Sequence, residues 1–539
     1  MKGQDNVSDE DDETKPKRQK RVGSNPLSDA RRNSKQQSKA ENLWHRKSGA
    51  GFQLFVQYYA HQPIGCVAAQ NDSCMTVTTS SQQQITALKQ KGGAGLSRAS
   101  KKRNKKKLLS CTKETESDIN IAQQEVIEIE TTENYDVADS KLLRAWNSTA
   151  PSTKSQPGYR NLKPYLEALS KPLPLTFRLR NGCTSEVIET IKEDIHENYA
   201  HLVKSHSFGQ TIYQSTACQL SRASLSKRSP LLKAFLVSHS ADGSVARQEL
   251  GSMLPVLGLS MGGWLKKGSR VLDICASPGS KALQALEIVG RTGRIVANDV
   301  HPTRLETLKD AVQRAGLAPD LTCRIIYTNF DAGVFPTPQN KKLFDAVVCD
   351  VPCSGDGTIR KDKHVLPLWS PATGNSLHSL QVRLLTRALQ LVRVGGVVSY
   401  STCSLNPIED EAVVACVLAR MNEALSKRQK DGTSISNPAL ELIDFPKLPG
   451  FLSRPGIQAW NVADYVGETK SEQDDDSASL RWHATYKEAV TANMDKAMNS
   501  MWPPSREDAS HMNLERCIRL WPQDQDSGGF FVALIRKNM

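Results

Sequence analysis

Polar and apolar positions divide the chain unevenly. Residues 1–40 alternate acidic and basic blocks with almost no apolar side chain, and 63–157 are mostly Ser, Thr, Gln, Lys and Gly. Segments this poor in apolar residues cannot bury enough surface to offset chain entropy, so 1–157 is expected to be largely disordered, with a short ordered piece near 42–62. From about residue 158 the pattern changes. Leu162, Tyr165, Leu166 and Leu169 recur at helical spacing. Pro172 and Pro174 end that helix, and Leu175–Leu179 reads as a strand. Further helices are expected around 184–200 and 244–260, which makes 158–265 a small α/β domain.

From residue 268 onward, β-rich apolar runs alternate with helical stretches. The strand-like runs are Arg270–Cys275, Arg294–Asn298, Thr322–Tyr327, Phe344–Asp350 and Gly396–Thr402, with helices expected at 280–290, 303–315 and 375–394. This alternation predicts an α/β fold with a doubly wound, mostly parallel sheet over 266–539. Polar interruptions near 424–437 and 467–479 read as surface loops, the second holding the acidic turn Asp474–Asp476. Gly529–Arg536 reads as a last strand.

Charge refines this division. The chain has 539 residues and a formal net charge of +13. Residues 1–110 hold 21 Lys and Arg against 9 Asp and Glu, whereas 111–539 hold 49 against 48. The basic excess is therefore a property of the N-terminal part. It is densest at Lys101–Lys107 and, more weakly, at Pro16–Arg21. Such runs are nuclear import signals, RNA-holding tails or plain solvated charge. No apolar run reaches 18 residues, so no membrane span is expected. The opening MKGQDNVSDEDDETK lacks the apolar region of a secretory signal. Twelve Cys are too sparse for a disulfide scaffold, and no paired Cys-x-x-Cys knuckles suggest structural zinc. Reduced thiols in the cytosol or nucleus, and no metal, are the expectation.

Open parallel sheets bind ligands beyond the carboxyl ends of their strands. After the first strand comes Cys275-Ala276-Ser277-Pro278-Gly279-Ser280-Lys281, whose small residues let backbone approach a ligand. This is neither G-x-G-x-x-G nor a phosphate-binding P-loop, and alone it is an ordinary strand–helix turn. The next strand ends at Asn298-Asp299, where a carboxylate can accept from ribose hydroxyls. Asn329-Phe330-Asp331 follows the third, where one can accept from an adenine amino group. Each acid alone reads as a helix cap or surface charge. Together they point to an adenosine-type ligand without phosphates, and S-adenosylmethionine fits.

The fourth strand runs into Cys349-Asp350-Val351-Pro352-Cys353, and the fifth into Ser401-Thr402-Cys403. A free cysteine is more often a small buried residue than a nucleophile. Two at neighbouring strand ends beside a cofactor loop favour chemistry. Asn406 reads as a helix N-cap, Pro407 as N1 and Glu409 as N3, a capping-box arrangement. Cys403 would then lie just ahead of a helix N-terminus, which favours a thiolate. Glu409, Asp410 and Glu411 oppose that effect and otherwise serve to start the helix.

These stretches carry a resemblance. Asp273–Lys281, Asp350–Gly357 and Ser401–Glu411 make the chain similar to the RsmB/Sun family of RNA cytosine-5 methyltransferases. Arg247-Gln248-Glu249, Ser252-Met253 and Gly528–Phe531 look most like its eukaryotic tRNA branch. The similarity covers roughly 158–539 and implies a seven-stranded S-adenosylmethionine-dependent methyltransferase sheet. Phe52–Gln62, with Tyr58-Tyr59, resembles the segment normally just before Pro172-Leu173-Pro174, which would make 63–157 an insertion.

The resemblance implies that Cys403 adds to C6 of cytosine and that Cys353 assists release, with the swapped roles as the alternative. Asp350 would bond the N3/N4 edge of the base and Lys281 its O2 side. Cys275–Lys281, Asp299, Asp331 and Asp350 would hold the cofactor. The expected partner is RNA, tRNA first and rRNA or mRNA second, bound by a monomer in the nucleus, with the cytoplasm as second location. The small domain would be the RNA platform, with Arg178, Arg180 and Arg247 as candidate phosphate contacts. The competing class is an inactive RNA-binding scaffold, which needs neither the acid set nor the cysteines. A DNA cytosine methyltransferase would need no Thr-Cys partner. Three departures from the family pattern stand out: Ser277 where Ala is usual, Gln523 after Pro522 where His is common, and a stop at Met539 where the tRNA branch often continues.

Overall fold

The computed structural model describes residues 51–62, 144–148, 151–156, 158–208, 211–215, 220–221, 224–339, 342–426, 438–466 and 479–539. Both basic runs, the acidic turn at 474–476 and most of 63–157 lie outside the described residues. The described residues belong to one compact unit. Among the described residues no helix is long and apolar enough to cross a membrane.

Helix α1 (Gly51–His61) buries Phe52, Leu54, Phe55, Val56, Tyr58 and Tyr59. Phe55 and Tyr59 pack within 6.0 Å of Tyr165 on α2 (Tyr159–Ser170). Trp369 lies across the same rings. A Cβ built on Gly158 would lie 2.4 Å from the Gln62 carbonyl oxygen, so the chain on either side of 63–157 comes together.

The small domain is an antiparallel sheet ordered β2-β3-β1-β4, formed by β1 (Thr176–Leu179), β2 (Val203–Ser207), β3 (Thr211–Ser215) and β4 (Val245–Arg247). It packs against α3 (Ser185–Tyr199) and α4 (Pro230–Ala241) through Phe177, Leu179, Ile191, Ile195, Leu232 and Leu236. The helix expected over 244–260 is corrected here. Val245 pairs with Leu179 in the sheet, and α5 (Leu250–Met261) starts only where the Glu249 carboxylate accepts from Ser252 N at 2.9 Å. Helix α5 packs into the core of the large sheet, beside α6 (Ser280–Val289).

The large sheet runs β11-β14-β15-β9-β8-β5-β6-β7, with β10 also on β15. The parallel part comprises β5 (Arg270–Asp273), β6 (Arg294–Asn298), β7 (Ile325–Thr328), β8 (Phe344–Asp350) and β9 (Val392–Thr402). Strands β10 (Leu440–Ile443), β11 (Arg454–Pro455), β14 (Ile518–Leu520) and β15 (Phe530–Lys537) join antiparallel. Among the described residues nine strands thus stand where seven are expected, because the short β10 and β11 pair onto the antiparallel side. A separate hairpin joins β12 (Val462–Val466) and β13 (Ser479–His483). Helices α5, α6 and α7 (Pro302–Gln313) cover one face of the large sheet, and α8 (Pro371–Leu391) and α9 (Glu411–Ser426) the other. Pro319 starts a helical turn at 319–322, so β7 begins at Ile325 rather than Thr322.

Candidate active site

The carboxyl ends of β5, β6 and β7 are stitched together by one side chain. Asn298 Nδ2 donates to the carbonyls of Ile274 and Phe330, while its Oδ1 accepts from Thr328 Oγ1. The turn 274–279 leaves β5 above it. Gly279 sits at φ +113°, and a Cβ there would lie 2.5 Å from Leu308 Cδ1, so only glycine brings this turn so close to α7. Ser277 Oγ donates to the Arg304 carbonyl at 2.7 Å, and Arg304 Nη2 returns a bond to the Ser277 carbonyl at 2.9 Å. Cys275 and Ala276 complete the turn, with Ala276 N bonded to the Asn298 carbonyl.

Carboxylates face this turn from three adjacent strands. Asp299 is 2% exposed and sits 3.4 Å from Arg304. Asp331 accepts from Gly333 N at 2.9 Å and lies 3.4 Å from Arg383. Asp273 is 1% exposed, and neither of its carboxylate oxygens has a hydrogen-bond partner. Burial pushes its pKa up to about 7, against the pull of Lys281. A buried acceptor left open costs free energy unless a donor completes it. Acceptors in a row beside small residues fit an adenosine-type cofactor bearing hydroxyl and amino donors. Among the described residues no group of three His, Cys, Asp or Glu is placed to hold a metal ion.

Lys281 joins this region to the next. Its Nζ lies 2.8 Å from Asp350 Oδ2, donates to Ser252 Oγ at 3.0 Å, and sits 5.3 Å from the centre of the Phe530 ring. Burial disfavours the ammonium, but Asp350 outweighs it and holds the Lys281 pKa above its ordinary value. Asp350 Oδ1 accepts from Ser401 Oγ at 2.7 Å, across the register that pairs the two residues in β8 and β9. Sequence reasoning did not single out Asp273 as an open acceptor or Ser401 as a partner of Asp350. For Ser401, the parallel pairing of strands ending Cys349-Asp350 and Ser401-Thr402 is the available signal.

That same pairing brings the two cysteine loops together. Cys353 Sγ and Cys403 Sγ are 3.2 Å apart, both half-buried. The hydrogen bond to Cys403 and burial both push the Cys353 thiol up, so it keeps its proton. Two buried carboxylates cross between the loops in opposite senses. Glu409 accepts from Ser354 N at 2.8 Å and from Ser404 Oγ at 3.0 Å. Asp356 accepts from Leu405 N at 3.0 Å and from the Tyr59 hydroxyl. Gly357 lies between them. A Cβ there would meet Gly529 O at 2.2 Å and Cys403 O at 2.8 Å, both backbone atoms. Gly357→Ala is therefore expected to destabilise the protein by about 1–3 kcal/mol, read as a lowered urea midpoint.

Two expectations are corrected. The capping box is not formed: α9 begins at Glu411, and Asn406 Oδ1 accepts from Ile408 N within a turn. Glu409 turns inward to the Cys353 loop instead, because its carboxylate finds donors there. Cys403 consequently lies eight residues before the helix, too far for its N-terminus to favour a thiolate. Arg178 and Arg180 are not surface phosphate contacts. Arg178 is 1% exposed and holds Glu287 of α6 through bonds of 2.6 and 3.0 Å, with Arg180 3.4 Å from the same carboxylate. A bidentate pair satisfies the guanidinium inside the protein. Arg247 is exposed.

The chain is similar to known proteins. A family model described as 16S rRNA methyltransferase RsmB/F matches residues 264–443. The chain is 33% identical over 431 residues to the multisite-specific tRNA:(cytosine-C(5))-methyltransferase trm4b of Schizosaccharomyces pombe, covering 69% of this chain and 56% of that one. It is 30% identical over 437 residues to the multisite-specific tRNA:(cytosine-C(5))-methyltransferase of Saccharomyces cerevisiae, covering 74% and 57%. The tRNA (cytosine(34)-C(5))-methyltransferase of Drosophila melanogaster is 31% identical over 408 residues, covering 69% and 50%. The chain thus spans about half the length of the curated relatives it matches.

Proposed function

We propose that this chain, whose residues 264–443 match the RsmB/F methyltransferase model, is an S-adenosylmethionine-dependent RNA cytosine-5 methyltransferase acting on tRNA. The observation that carries the reading is the meeting of two cysteines at 3.2 Å beside the Lys281–Asp350 pair. When bound, S-adenosylmethionine supplies an electrophilic methyl group. Cys275–Lys281, Asp273, Asp299, Asp331 and Asp350 would hold it, with the carboxylates placed to accept from its hydroxyl and amino groups.

C5 of cytosine is a poor nucleophile. Cys403, once deprotonated, would form a bond to C6 and displace the C5=C6 electrons toward C5, which would take the methyl group as its bond to the cofactor sulfur breaks and S-adenosylhomocysteine leaves. Asp350 bonds the N3/N4 edge and Lys281 the O2 side, stabilising charge that develops on the ring. A base, solvent water in the absence of a placed side chain, would then take the C5 proton, the C5–H electrons would re-form the C5=C6 bond and the C6–S pair would leave on Cys403, with the Cys353 thiol placed to protonate that sulfur. The base must leave its stack to be reached this way. The small domain serves as RNA platform, with Arg247 as an exposed phosphate contact. The basic runs at 16–21 and 101–107 support a nuclear location and add salt-dependent RNA affinity.

The test is transfer of a radiolabelled methyl group from S-adenosylmethionine to tRNA, rRNA and mRNA pools, followed by nuclease digestion. Label in 5-methylcytidine from tRNA is the expected result. Label confined to rRNA or mRNA would move the substrate. RNA binding without any label would favour the scaffold.

A further inference from the structure

The helix that precedes the long insertion reaches the chemistry. Helix α1 places two tyrosine hydroxyls on the cysteine loops, although about 300 residues of chain separate them from those loops. Tyr58 OH donates to Asn406 Oδ1 at 2.8 Å, and Tyr59 OH donates to Asp356 Oδ2. Both tyrosines are buried, at 0% and 2% exposure. Their rings pack on each other and on Trp369, so each hydroxyl has a fixed direction.

We propose that Tyr59 is a positioning residue for the cysteine pair, acting through Asp356. Asp356 belongs to the Cys353 loop, yet its other oxygen holds Leu405 N, two residues past Cys403. Glu409 runs the reverse strap, from the Cys403 loop to Ser354 beside Cys353. Gly357 N also donates to the Cys403 carbonyl at 3.0 Å. Two crossed carboxylates and the Gly357–Cys403 bond thus tie the loops together, and the Tyr59 hydroxyl fixes the orientation of one carboxylate. Without that donor Asp356 keeps Leu405 N on one oxygen but loses the bond that orients the other, and the strap to Leu405 slackens. A buried carboxylate that loses one of its donors also becomes costlier to keep charged. Misplacement of reacting groups by a fraction of an ångström lowers the rate without lowering affinity.

The inference rests on the methyltransferase reading of the two cysteines, and its test separates the two. Tyr59→Phe in the full chain keeps the ring packing and removes only the hydroxyl. Its kcat for tRNA methylation is expected to fall about ten-fold, with KM for S-adenosylmethionine and for tRNA unchanged. The melting temperature is expected to stay within about 3 °C of wild type. An unchanged kcat would overturn the proposal. So would a fall in kcat accompanied by a larger loss of melting temperature, which marks a structural role. Should the wild-type chain transfer no methyl group, the methyltransferase reading falls first. Alkylation of Cys403 by iodoacetamide, followed by peptide mass spectrometry, then decides this inference without RNA. Several-fold slower labelling in Tyr59→Phe supports it, and equal rates overturn it.

Discussion

Replacing Cys403 by Ala should lower methyl transfer at least ~1000-fold, while Cys353→Ala should instead accumulate a covalent protein–RNA adduct. The two sulfurs are near-equivalent in position, 3.2 Å apart at the ends of adjacent strands, so geometry alone does not order them. The match to the family motif orders them, with Cys403 as the nucleophile of the proposed function; the contact with Cys403 and burial push the Cys353 thiol up. A thiol that keeps its proton is a poor nucleophile but serves when a sulfur must be released. Without Cys353, Cys403 still adds to C6, and release becomes the slow step. A denaturing gel of each variant with RNA and S-adenosylmethionine reads the result as a slow-migrating band. A band from Cys403→Ala and none from Cys353→Ala would exchange the two roles. Absence of a band from both, with an inactive wild type, would leave an RNA-binding scaffold.

Much of this site was legible in the sequence because its residues lie at strand ends. Phe344–Asp350 and Arg294–Asn298 are apolar runs flanked by polar turns, and their boundaries match the structure. Strand order in a doubly wound sheet then brings Asp299, Asp331, Asp350 and both cysteine loops to one edge. What the sequence hid was the use of charge inside the protein. Glu409, Asp410 and Glu411 follow Asn-Pro in a pattern that suits an exposed helix start, yet all three are 0% exposed. Arg178 in β1 and Arg180 just after it read as candidate phosphate contacts, yet their partner Glu287 lies more than 100 residues away. Local pattern reports which residues could cap a helix or meet a phosphate. It does not report that a distant opposite charge has claimed them. Tyr59 was legible as part of a familiar segment, but its hydrogen bond to Asp356 spans the insertion, and no local spacing announces it.

Arg519 is another of these buried charges. Arg519→Met is expected to destabilise the protein by about 3–5 kcal/mol. Arg519 is 1% exposed on β14; its Nε donates to Glu411 at 2.7 Å, its Nη1 to the Leu405 carbonyl at 2.9 Å, and its Nη2 lies 3.4 Å from Asp410. Burial opposes the guanidinium charge, but Glu411 and Asp410 outweigh that and raise its pKa. Methionine would fill the volume and leave two buried carboxylates without a cation. Burial already raises the Asp410 pKa in the wild type, with Arg519 pulling it down. A carboxyl whose folded pKa exceeds its unfolded value adds stability that is full at low pH and lost as pH rises through the folded pKa. Removing Arg519 raises that folded pKa further, so the deficit of the variant should be smaller at pH 5.5 than at pH 8. Urea unfolding at the two pH values measures it. A deficit independent of pH would mean that lost packing, not stranded charge, sets the cost. Glu411→Gln added to Arg519→Met should then recover part of the loss only if the charge account holds. Because Arg519 also holds the Leu405 carbonyl, the variant should lose activity in step with stability, which ties the buried charge cluster to the loop that carries Cys403.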